Sequence, residues 1–109
     1  MLLTTQDQFS EYDIVKTLGL VKGNTVRARH VGKDILASFR NVIGGEIDEY
    51  TKLLAESREQ SIDRMISMAE MMGADGIVCV RFTTSSIMQA ASEMFVYGTA
   101  VKLKKKEEN

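Results

Sequence analysis

The sequence predicts an α+β fold: a small β-sheet with strands at both ends of the chain, packed on a short helix and one long helix. Three observations predict it. Strand-like runs rich in β-branched residues lie before residue 30 and again after residue 76. Between them, apolar residues recur at the spacing of helical turns. The 109 residues, 44% hydrophobic and 27% charged, are enough for one globular core and not for two.

Leu2 to Thr5 is a short strand candidate, and Tyr12 to Val21 a stronger one. Lys22-Gly23-Asn24 carries turn chemistry. Thr25, Arg27 and Arg29 then alternate with Val26 and Ala28, the pattern of a strand with one wet face. A hairpin across residues 13–30 is therefore expected. From Lys33 to Ile43, Ile35, Leu36, Phe39, Val42 and Ile43 fall at helical spacing. Gly44-Gly45 interrupts, since two glycines cost about 2 kcal/mol inside a helix. A second helix is expected from Glu46 to Met72. It opens with Glu46, Asp48 and Glu49 at the positive end of the dipole and stops at Gly73.

That helix would be about 40 Å long, whereas a compact chain of this size has a radius of gyration of about 13 Å. The segments Ile77–Thr83 and Met94–Val101 are largely apolar on both strand faces, so both faces need cover. One long helix covers one face, and a second copy of the chain is the economical cover for the other. Residues 1–103 are expected to form the single domain, with 104–109 a charged flexible tail.

The charge balance narrows the partners. A formal charge of −1 argues against nucleic acid as a partner. No apolar run approaches the roughly 18 residues that span a bilayer, so no membrane partner is expected. The first residues lack the pattern of a signal peptide, and the one cysteine, Cys79, can form no disulfide within the chain. Cytoplasmic residence is expected.

Candidate chemistry is sparse. A zinc centre needs three or four side-chain ligands, and one copy offers only His30 and Cys79 as imidazole or thiolate donors. They are weak metal candidates unless ring symmetry multiplies them. A nucleophile needs a base within reach, and the single histidine leaves no visible catalytic set, so enzymatic activity is not expected. The basic group Arg27, Arg29, His30, Lys33 and Arg40 is the most site-like cluster, able to meet a small anion near a helix start. Acids at helix starts, such as Asp34 and Glu46, are more often dipole partners than acid–base pairs. Arg58 lies between Ser57 and Ser61 on the helix stripe, a wet edge or an intersubunit contact. Met65, Met68, Met71 and Met72 share one helix, where core filling is the default and an adaptable interface the alternative. The ligand or interface candidates are therefore Arg27, Asp34, Arg40, Glu46, Tyr50 and Arg58.

Several stretches carry a family resemblance: Leu3-Thr4-Thr5, the region from Gly19 to Gly23, and Gly32-Lys33-Asp34. The most specific is Arg40-Asn41-Val42-Ile43-Gly44-Gly45-Glu46 followed by Tyr50. Glu56 with Arg58, Gly73-Ala74-Asp75-Gly76-Ile77-Val78 and Tyr97-Gly98-Thr99-Ala100-Val101 complete the set. The chain resembles the small bacterial YbjQ-like family, described as "putative heavy-metal-binding", over roughly Leu2 to Val101. The resemblance implies a homopentameric ring of βα-type subunits. The function expected of the chain is that of a homo-oligomeric assembly or binding module for a small anion or a metal ion, or alternatively a heavy-metal-binding protein with ligands gathered at the ring axis or subunit interfaces. A metal ion is the only cofactor the resemblance suggests.

Overall fold

The computed structural model describes the backbone of residues 1–28, 45–88 and 91–107, and side chains for 1–26, 52–86 and 92–107. The chain order is β1 (Leu2–Leu3), β2 (Tyr12–Ala28), α1 (Gly45–Met71), β3 (Gly76–Met88) and β4 (Ala91–Lys105). The four strands form one sheet in the order β1-β3-β4-β2. β1 is parallel to β3, and β4 runs antiparallel to both β3 and β2. The fold is α+β as expected. The short helix expected over 33–43 lies outside the described residues.

The hairpin expected across residues 13–30 does not form. Lys22-Gly23-Asn24 stays inside the 17-residue strand β2, whose partner comes from the far end of the chain, Val21 opposite Gly98 and Gly23 opposite Val96. Gly23 has a different use. A β-carbon built there would stand 2.0 Å from the Ser61 carbonyl oxygen and 2.6 Å from the Met65 nitrogen. The missing side chain lets α1 lie directly on β2.

α1 begins and ends within one residue of expectation. Its end is set by Gly73 at φ +78°, where a side chain would be strained. The Gly73 N–H donates to Glu70 O (3.0 Å) and the Ala74 N–H to Ala69 O (3.0 Å), closing the last turn. Every fourth residue of one row, Ser57, Ser61, Met65 and Ala69, is buried. Met65 and Ala69 join Val21, Ile77, Val80, Val96 and Ala100 in the core. Ser57 and Ser61 are not at a wet edge, because they meet β2 beneath the helix. Thr25 Oγ1 donates to Ser57 O (3.0 Å), and Ser61 Oγ lies 2.9 Å from the same carbonyl and 3.2 Å from Met94 O. These buried hydroxyls are thus satisfied, as burial requires.

The helix packs on β2 and, less extensively, on β4. One face of β4 is buried through Ser92, Met94, Val96, Gly98 and Ala100, while Phe95 and Thr99 on the other face are only half-buried and Tyr97 is exposed. Leu20, opposite Thr99, is 61% exposed. On the helix side, Phe82 pairs with Val96 yet stays 49% exposed, because α1 does not reach over that part of β3. The charged tail assigned to 104–109 begins later. Lys104 and Lys105 remain in β4 opposite Asp13 and Tyr12, and the Lys106 N–H donates to Glu11 O (3.0 Å).

Candidate functional site

Of the ligand or interface candidates, Arg58 has its side chain among the described residues. Arg27 sits in β2 opposite Ser92, and Glu46 and Tyr50 lie on the first turns of α1. The side chains of these three lie outside the described residues, as do Asp34, Arg40 and His30 altogether. Arg58 is exposed.

Cys79 lies where the β3–β4 register slips between Val78 and Arg81, with φ +57°. A non-glycine residue in that conformation is held by its surroundings. Here the segment after β1 holds it: the Cys79 N–H donates to Gln6 O (2.9 Å) and the Val80 N–H to Thr4 O (3.0 Å). Arg81 Nη1 adds a bond to Thr5 O at 2.6 Å. The thiol is half-buried. Among the described residues, no group of three or more His, Cys, Asp or Glu side chains could hold a metal ion. One copy's Cys79 therefore meets no ordinary hard or thiolate donor set in the described part of the chain.

Two other features stand out in the structure. The first is the open face of the sheet, where the cross-strand row Lys22–Tyr97–Arg81 lies beside Phe95. The Phe95 and Tyr97 rings sit 5.6 Å apart, and Asn24 Nδ2 donates to Glu93 Oε2 at 3.1 Å. The second is the C-terminal end of α1. Of the four methionines read there as core filling, only Met65 is buried, while Met68 is 38%, Met71 89% and Met72 37% exposed.

Asp75 ties this end of the helix to the sheet. Its Oδ2 accepts the Leu103 N–H at 2.9 Å and lies 3.5 Å from Lys102 Nζ. The Leu103 N–H is the main force holding the Asp75 carboxyl below the usual carboxylate range; desolvation opposes it, and Lys102 reinforces it. A depressed acid stabilises the fold above its unfolded pKa and loses that contribution as pH falls through its folded value. Wild-type stability should therefore decline below about pH 4 by a component that Asp75→Asn lacks. Urea midpoints measured from pH 7 downward would check this, and parallel curves for the two proteins would contradict it.

A family model described as "Putative heavy-metal-binding" matches residues 1–104. The chain is 54% identical over 105 residues to a UPF0145 protein of Methanococcus vannielii, covering 96% of this chain and all of that one. It is 55% identical over 101 residues to a UPF0145 protein of Dehalococcoides mccartyi, covering 93% and 97%. The relatives include archaeal proteins, so the family is wider than bacteria. A solved structure of a DUF74-family protein of unknown function from Pediococcus pentosaceus superposes with a TM-score of 0.63 at 17% identity. It covers 95% of this chain and 98% of that one, and shows the shared fold.

Proposed function

Because the chain belongs to the YbjQ-like, UPF0145 family, we propose that it works as a homo-oligomeric assembly and binding module, a homopentameric ring in which copies cover each other's open sheet surfaces. The accessible area carries this reading. The chain exposes 7615 Å², whereas a compact monomer of 12.2 kDa exposes about 6,100 Å². Exposed apolar side chains on the sheet, Val15 at 59%, Leu20 at 61% and Phe82 at 49%, give neighbouring copies a surface to cover. A closed ring requires two different, mutually complementary patches on each chain. The radius of gyration, 18.1 Å, also exceeds the roughly 13 Å of a compact chain. Sedimentation equilibrium should return about five times the 12.2 kDa chain mass; a mass of one chain would remove the proposal.

The family description adds heavy-metal binding to this reading, through copies of His30 or Cys79 gathered at the ring axis or at interfaces. The half-exposed Cys79 thiol supports it. No helix among the described residues is long and apolar enough to cross a membrane, and a free thiol suits the reducing cytoplasm.

A further inference from the structure

We propose that Met68, Met71 and Met72 form a thioether site for a soft monovalent cation, Cu(I) or its analogue Ag(I), at the C-terminal end of α1. The residues stand at i, i+3 and i+4 of one helix end. Met68 neighbours both Met71 and Met72 at those spacings, with Cβ atoms about 5–6 Å apart, and flexible methionine arms can swing their sulfurs onto one ion from either side of it. Thioethers are soft ligands that select Cu(I) over the harder divalent ions.

Three observations separate this end from ordinary core filling. The row that faces the sheet is complete without these residues, since Met65 and Ala69 are fully buried while Met71 is almost fully exposed. Met72 is held over β2, its Cε 3.4 Å from where a Gly19 side chain would begin. The electrostatics also favour a cation, because the last turn carries no basic residue, includes Glu70, and ends at the negative pole of the helix dipole. Two described cations near this end are already engaged, Lys102 with Gly73 O (3.0 Å) and Asp75, and Arg64 with Asn24 O.

The site lies within one copy and uses neither His30 nor Cys79, so it stands or falls apart from the ring and from any axial metal. The test is a silver(I) titration of the full chain carrying ¹³C-methyl methionine, read by methyl NMR. Beyond the equivalent taken by the Cys79 thiol, the Met68, Met71 and Met72 methyls should shift together, while those of buried Met65 and Met94 stay in place. Replacing all three by leucine should keep the fold, since Leu and Met have similar volumes, and should abolish the thioether step. Each single Met→Leu change should weaken silver by about tenfold or more. Equal silver binding by wild type and the triple leucine chain, or uniform shifts of all methionine methyls, would overturn the proposal.

Discussion

Gly23→Ala is expected to cost at least about 3 kcal/mol, the upper end for overpacking, and to separate α1 from β2. The added carbon would stand 2.0 Å from the Ser61 carbonyl oxygen and 2.6 Å from the Met65 nitrogen. Both are helix backbone, which cannot swing aside like the tip of a side chain. The helix would have to lift, pulling Thr25 from the Ser57 carbonyl and opening the contact on which Met65 and Ala69 are buried. Gly73→Ala is the matched control. No atom lies within 4 Å of its added carbon, so the cost is confined to its positive φ, about 1 kcal/mol. Urea unfolding followed by far-UV circular dichroism, at one protein concentration, compares the two. A Gly23→Ala chain as stable as Gly73→Ala would contradict the close-contact account.

The second large effect is expected at Met65. It is among the largest fully buried side chains and lies at the centre of the core beside Val21 and Val96. Met65→Ala should cost about 2–5 kcal/mol through lost transfer energy and the cavity left behind. Met65→Leu, which nearly conserves volume, should cost less than about 1.5 kcal/mol. The same change at Met71, 89% exposed, should alter stability by no more than about 0.5 kcal/mol. A similar midpoint for Met65→Ala and Met71→Ala would show that the buried row does not carry the helix contact.

The helix could be read from the chain because both its ends are marked by backbone chemistry: the Gly44-Gly45 pair where it starts and Gly73 after it. The strands after residue 76 could be read from their apolar runs. β2 could not. Gly23 between Lys22 and Asn24 has the composition of a turn, and only its long-range contact with Ser61 explains a glycine in a strand interior. The pairing of β2 with β4 joins residues some 75 positions apart, which periodicity does not encode. Ser57 and Ser61 misled for the opposite reason. Polar residues on the inward row suggested a wet edge, but their hydroxyls are satisfied by Thr25 and by backbone carbonyls. At the candidate site, the methionine spacing was visible, but exposure alone separates Met65 from Met68, Met71 and Met72. Apolarity on both faces of β4 was also visible; that one face lies open in the single chain became clear only with the helix in place.

The claim that copies shield one another's sheets is tested most directly by unfolding the chain across a dilution series in which its sedimenting mass is also followed. Association makes stability depend on concentration, so the midpoint should fall as the chain is diluted and the assembly comes apart. A particle of one chain's mass at every concentration, with a sharp transition that does not move, would contradict it.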